Sequence, residues 1–267
     1  MKRTTTISLL ATALVAALAA NANATILYSA NFSNPTFVNG GLVGQDSWVA
    51  HSGAGTNAQQ VVNAASSGYV QLTTSGEDTH RNWTPGNPAV TSGSVFLSAD
   101  INLSAAQSAG TPLQGDYFLH LGDGGTSLFY DRVFAQASGS GYVMALGTSS
   151  GTTPTYGTTV LNFNQTYHIV AEYDFVAGAG NDTGALYLNP SDPIFGGNNL
   201  YVAATTQGTD ATTIGGVYLR QGSATLAPTA QVTNIAVAIP TVPEPASFVL
   251  IGLGIVGFIG ATRLKLV

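Results

Sequence analysis

Thr166-Tyr167-His168-Ile169-Val170-Ala171-Glu172-Tyr173-Asp174-Phe175-Val176 reads with a period of two. Tyr167, Ile169, Ala171, Tyr173 and Phe175 fall on one side, and His168, Val170, Glu172 and Asp174 on the other, which is the pattern of a strand with one buried face. Ser94–Leu103 repeats it through Val95, Leu97, Ala99, Ile101 and Leu103, and Gln231–Ala238 does so less regularly through Val232 and Ile235. Around these lie Ile26–Ser33, Trp48–His51, Gln59–Asn63, Tyr69–Thr73, Asp116–Leu121, Ser127–Gln136, Tyr142–Gly147, Ala185–Leu188 and Gly216–Gln221, bounded by Gly, Asn, Asp and Ser. No helix-period segment between the ends exceeds two turns, and no fixed-period repeat is present. Strands and turn signals of this kind predict an all-β sandwich or barrel, and the long strands with one solvated face fit a two-sheet antiparallel β-sandwich of the jelly-roll kind.

The chain has 267 residues, of which only 7% are charged and 45% hydrophobic, with 32 glycines and no cysteine. Disulfides, thiolate metal sites and cysteine nucleophiles are thereby excluded, and stability must come from burial and sheet pairing. Between Thr25 and Val242 stand twelve acids and three bases, Arg81, Arg132 and Arg220, a balance of −9. Nucleic acid and anionic lipid are poor partners for such a surface.

The two ends read as addresses. Lys2 and Arg3, the apolar run Ile7 to Ala20, and Ala22-Asn23-Ala24 make a secretory signal peptide over residues 1–24, cut after Ala24. The domain follows over residues 25–239 and a tail over 240–267. In the tail, Pro243-Glu244-Pro245 precedes an uncharged apolar stretch, Ala246 to Thr262, long enough for a single transmembrane helix, and then Arg263 and Lys265. The basic end belongs in the cytoplasm, which leaves the Pro-Glu-Pro segment extended on the outer side of the inner membrane.

Pro243-Glu244-Pro245 with the glycine-bearing apolar helix and basic end resembles the PEP-CTERM tail of Gram-negative bacteria that make exopolysaccharide. The resemblance implies export by the Sec machinery, transient membrane insertion through the tail and removal of that tail by an exosortase, leaving the protein in the cell envelope, on the outer surface or in the matrix. A permanent single-span anchor is the alternative. A second resemblance rests on Ile26-Leu27-Tyr28-Ser29-Ala30-Asn31-Phe32, Leu42 to Trp48, Tyr173-Asp174-Phe175, Tyr187-Leu188-Asn189-Pro190 and Tyr218-Leu219-Arg220-Gln221-Gly222. These look like uncharacterised bacterial secreted domains with a concanavalin A-like (LamG) jelly roll, which implies the fold and no activity.

Candidate chemistry is sparse. Hydrolases of the laminarinase type on this fold carry Glu-x-Asp-x-x-Glu; Glu172 and Asp174 match its start, but Ala177 stands where the acid/base belongs. His168, Glu172 and Asp174 share a face and are candidates for binding sugar hydroxyls or a cation, against the plainer reading of a solvated strand face. Asn181 and Asp182, in a run of oxygen-bearing loop residues, are candidate Ca2+ ligands, or turn residues bonding their own backbone. Trp83, beside His80 and Arg81, reads as an exposed loop aromatic able to stack on a sugar, whereas Trp48 reads as core and Arg220 as the partner of a structural carboxylate. No catalytic residue is assigned and no cofactor is required. The expectation is a non-enzymatic surface or matrix protein associated with exopolysaccharide and binding glycan weakly. Its rivals are a polysaccharide hydrolase or lyase and a purely structural coat component.

Overall fold

The computed structural model describes residues 23–83, 88–109, 114–205 and 208–241. Ala22, read above as part of a signal peptide, and the tail residues Pro243, Glu244, Pro245, Arg263 and Lys265, with the apolar stretch 246–262, lie outside the described residues. Ala24 lies within them and is exposed. Among the described residues no helix is long and apolar enough to cross a membrane.

Residues Thr25–Ile239 form one compact unit. Its sixteen described strands make two antiparallel sheets. The nine-stranded sheet contains β1 (Asn23–Ala30), β2 (Gly40–Gly41), β4 (Gln60–Val62), β5 (Tyr69–Leu72), β7 (Gly93–Ala105), β12 (Thr166–Phe175), β13 (Thr183–Leu188), β14 (Leu200–Thr205) and β16 (Thr229–Thr241). They run in the order β14-β13-β12-β7-β16-β5-β4-β2, with β1 also paired to β16. The seven-stranded sheet contains β3 (Val49–Ser52), β6 (Asp78–Asn82), β8 (Asp116–Gly122), β9 (Phe129–Ser138), β10 (Gly141–Ser149), β11 (Thr155–Tyr156) and β15 (Gly216–Leu219), in the order β11-β10-β9-β8-β15-β6-β3.

The expected strand faces are found. Tyr167, Ile169, Ala171 and Tyr173 of β12 are buried between the sheets, as are Val95, Leu97, Ala99, Ile101 and Leu103 of the adjoining β7, and they meet Leu119, Leu121, Val133, Met144, Leu146, Val217 and Leu219 of the opposing sheet. The irregularity in β16 has a structural cause. Its register against β7 shifts between Thr233 and Ala236, and Asn234 adopts φ 50°, so Val232 and Ile235 both reach the core across a bulge.

Four elements were not expected: β2, β6, β11 and β14. Of these β6 matters most. Asp78-Thr79-His80-Arg81-Asn82 carries no apolar residue, and so it reads as a loop. Its inward positions are instead polar groups satisfied by loop side chains: Thr79 donates to Gln59 Oε1 at 2.8 Å, and Arg81 lies 3.7 Å from Asp46 and over the Tyr28 ring of β1.

Candidate functional site

The outer face of the seven-stranded sheet gathers His51, His80 and His120 and two of the three arginines among the described residues. His80 on β6 is in register with Tyr218 on β15, and Tyr218 with His120 on β8. Their rings stack at 5.0 and 4.8 Å with interplanar angles of 15° and 18°. His51 on β3 stands edge-on to His80 and Tyr218, and Phe129 on β9 does the same to His120 and Tyr218. His51 and Phe129 lie 5.7 Å apart although their strands are four places apart, a separation of about 19 Å in a flat sheet. The sheet therefore curls, and the two rings lean together over the stacked row. Tyr218 is seated against two glycines: a Cβ on Gly122 would come within 2.5 Å of its ring and one on Gly216 within 3.1 Å.

Three bulges assemble this face. In β8 the register against β9 shifts between Tyr117 and Leu119, so Phe118 and Leu119 both turn inward while Tyr117 and His120 both turn outward. In β9 two residues, Asp131 and Arg132, oppose His120, and Asp131 takes φ 49°. Asp131 is driven into the core, where a Cβ on Gly184 of β13 would lie 2.9 Å from its Oδ1, and Arg132 emerges among the outer rings. A third shift, between Ala50 and Ser52 of β3, frees His51. Bulges of this kind re-aim side chains at the cost of local pairing.

The charges on the face are unequal. Arg220 stacks 4.2 Å from the Tyr117 ring centroid, with Nη1 2.6 Å from Asp116 and Nε 3.8 Å from Asp78. The Asp116 contact is an ion pair by distance, without hydrogen-bond alignment at Nη1. Burial opposes the charge of Arg220, and Asp116 outweighs it and raises the pKa. Arg132, 7% exposed, lies over both Tyr117 and Phe134. Its Nη2 donates to Ser149 O, and at 3.1 Å to both Thr152 O and Thr152 Oγ1. Burial lowers its pKa. His51, His80 and His120 are likewise lowered by burial, His120 strongly, so all three imidazoles are neutral at pH 7. The His120 Nδ1 faces Leu121 O at 2.9 Å, and its Nε2 is buried without a partner among the described residues. The Tyr218 hydroxyl donates to Gly125 O and accepts from Gly124 N.

Residues 241–263 match the family described as the PEP-CTERM protein-sorting motif. The chain carries a PEP-CTERM sorting motif. It is thus an exported protein, sorted to the cell surface, and the motif implies processing by an exosortase. No curated protein matches the chain. Among solved structures, the CBM2 module of the evolved Dit of Lactobacillus casei BL23 phage J-1 superposes with a TM-score of 0.50 at 12% identity, covering 84% of this chain and 99% of that one. Domain 4 of AbnA, an extracellular arabinanase of Geobacillus stearothermophilus, gives 0.48 at 11%, covering 82% and 95%. The alginate lyase Aly36B gives 0.47 at 11%, covering 82% and 100%. The likeness of this PEP-CTERM protein to the CBM2 module is one of fold, a β-sandwich of jelly-roll type.

The residues singled out in the sequence sit elsewhere. Trp83 follows β6 in a loop as expected, but it is a correction to the reading as an exposed platform: the indole is 7% exposed, packed into the core, with Nε1 donating to Ile214 O at 3.2 Å. The loop that carries it docks against Gly215, which turns the ring inward. His168, Glu172 and Asp174 do share one face, that of the nine-stranded sheet. Each is engaged there: His168 with Asp100 at 2.6 Å and Pro193 O at 2.9 Å, Glu172 with the Tyr187 hydroxyl at 2.7 Å, Asp174 with Ser94 Oγ. Asp182 accepts from the Tyr173 hydroxyl and Val176 N, and Asn181 Nδ2 donates to Ala177 O. Asp210 gathers the backbone N–H groups of Gly180, Asn181 and Asp182. Among the described residues no group of three or more His, Cys, Asp or Glu is placed to hold a metal ion. Trp48 is core, and Arg220 pairs with structural carboxylates, both as read from the sequence.

Proposed function

We propose that this surface-sorted protein is a non-enzymatic, glycan-binding module of the envelope or extracellular matrix, and that the outer trough of its seven-stranded sheet is the binding face. The observation that carries the reading is the trough itself, where rings from β3, β6, β8, β9 and β15 converge beside two arginines on a sheet face turned away from the core. Sugars present C–H faces that pack on aromatic rings and hydroxyls that pair with imidazole, guanidinium and carboxylate groups. His51, Tyr117, Phe129 and Arg220 are the half-buried members able to touch such a ligand, and the guanidinium of Arg132, 7% exposed, borders them across the Tyr117 ring. Binding without turnover is favoured because the Tyr218 hydroxyl is occupied by backbone and His120 Nε2 is sealed beneath neighbouring rings. On the other sheet, Glu172 and Asp174 are held by Tyr187 and Ser94.

Binding of the full-length chain in mild detergent to a panel of soluble polysaccharides tests this directly. Tyr117→Ala and Phe129→Ala should each weaken the best ligand about fivefold, the equivalent of about 1 kcal/mol for one lost ring contact. Trp83→Phe should leave affinity unchanged. Affinity untouched by both trough variants would move the site off this face, and chain-shortening of the polysaccharide during incubation would replace the module with an enzyme.

A further inference from the structure

The three arginines of the described domain are not treated alike. Arg81 lies 3.7 Å from Asp46, and Arg220 lies within 4 Å of both Asp116 and Asp78. Arg132, as buried as either, has no carboxylate within ion-pair distance among the described residues; its Nη2 meets only neutral oxygens, and its Nε has no acceptor. A buried guanidinium left with neutral partners is costly to keep, and truncating it to an apolar residue would spare that cost. The fold nonetheless makes room for it. The β9 bulge aims it outward, and Gly147 of β10 leaves the space that a Cβ would take, 3.1 Å from Nη2. Between Thr25 and Val242 the other charges are twelve acids against two bases, Arg81 and Arg220, so an uncompensated cation here is the exception to the surface field.

We propose that Arg132 receives an anionic group of the ligand, so that the trough takes a carboxylated saccharide, a uronate-bearing chain, in preference to a neutral one. This rests on the trough being the glycan face. With Nη2 taken by Ser149 and Thr152 and Nε sealed, a ligand carboxylate meets the guanidinium at Nη1, where Tyr117 and Phe134 beneath it shield the pair from water and strengthen it. Arg220, already neutralised, donates to hydroxyls beside it.

Matched polymers test the charge without altering the protein. Full-length protein in mild detergent is titrated with polygalacturonate and hyaluronan, each beside its methyl-esterified counterpart, and with dextran beside dextran sulfate. The acids should bind at least tenfold more tightly than their esters, with affinity falling as salt is raised from 50 to 300 mM, concentrations about the range over which such pairs are screened. Arg132→Gln should erase the acid–ester difference, and Arg132→Lys should restore part of it. Esters that bind as well as acids would overturn the proposal and leave glycan binding standing. Binding of dextran sulfate alone would overturn the carboxylate assignment. Absence of binding to every polymer would overturn both readings together. A fold defect in Arg132→Gln is recognised by circular dichroism and leaves the acid–ester comparison on the natural protein intact as the deciding result.

Discussion

Asp131 is wholly buried, with neither carboxyl oxygen hydrogen-bonded among the described residues, beside Leu146, Gly184 and the equally unpartnered hydroxyl of Thr148. Desolvation first, then the charges of Glu172 and Asp174, push its pKa well above the carboxylate range. A carboxyl that is protonated when folded and ionised when unfolded costs stability as pH rises from about 4 toward its folded pKa, because the native state then binds the extra proton. Asn keeps the shape, tolerates the positive φ of 49° and cannot ionise. Asp131→Asn should therefore be more stable than the natural protein by about 1 kcal/mol or more at pH 8, with the gap closing toward pH 4. Urea unfolding at the two pH values checks it; a gap that does not change with pH would mean the carboxyl is not the titrating group.

At the scale of the strand, the stacked row His80–Tyr218–His120 sets the opposite pH slope. Its imidazoles are lowered from 6.5 by burial; at His120 the Leu121 carbonyl opposes this, while Arg220, Arg132 and, once protonated, His51 add like charge, with Tyr117 and Tyr218 as its neutral neighbours. A histidine with depressed folded pKa takes up protons preferentially when unfolded, so its cost appears as pH falls below 6.5 and grows toward the folded pKa. His120→Phe keeps a ring in the stack and should lose less stability than the natural protein between pH 7 and pH 5, by about 1 kcal/mol or more. Equal losses would place the acid sensitivity elsewhere, and the comparison cancels the opposing slope of Asp131.

The same row explains what could be read in advance. Strands β7 and β12 were legible because every second residue from Val95 to Leu103 and from Tyr167 to Tyr173 is apolar and core, while Phe175, expected in the same set, is half-buried at the edge of the cluster. The trough was not, because strict alternation puts Tyr117 and His120 on opposite faces, and likewise Phe129 and Arg132; bulges at Phe118–Leu119 and at Asp131 bring each pair together. β6 hid for a related reason, its inward Thr79 and Arg81 being held by a hydrogen bond and an ion pair to the loop residues Gln59 and Asp46 instead of by apolar area. A usable signal was present: His80, His120 and Tyr218 are each central in a short strand-length run, yet only their pairing reveals that they align. The nine-stranded face showed the reverse: His168, Glu172 and Asp174 were correctly grouped by period, while the hydroxyls and the loop carbonyl that engage them come from distant sequence.

For the whole molecule, the compact unit Thr25–Ile239 is flanked by the two addressed ends, and the sorting motif at 241–263 makes the mature form a matter of cleavage. If an exosortase acts at the Pro-Glu-Pro segment, the apolar stretch and basic end leave together, and the folded domain loses its only positively charged tail, deepening its net negative charge. The β-sandwich does not depend on that tail: the last strand, β16, is paired through Ala238 to β7, upstream of the motif. Intact mass of the protein recovered from its native envelope should thus correspond to a chain beginning at Thr25 and ending near Pro243, with any surplus mass reporting what is attached in exchange. A mass that retains Arg263 and Lys265 would instead describe a permanently anchored protein, whose trough is held within a tether's length of the inner membrane and can meet only the polysaccharide that passes there.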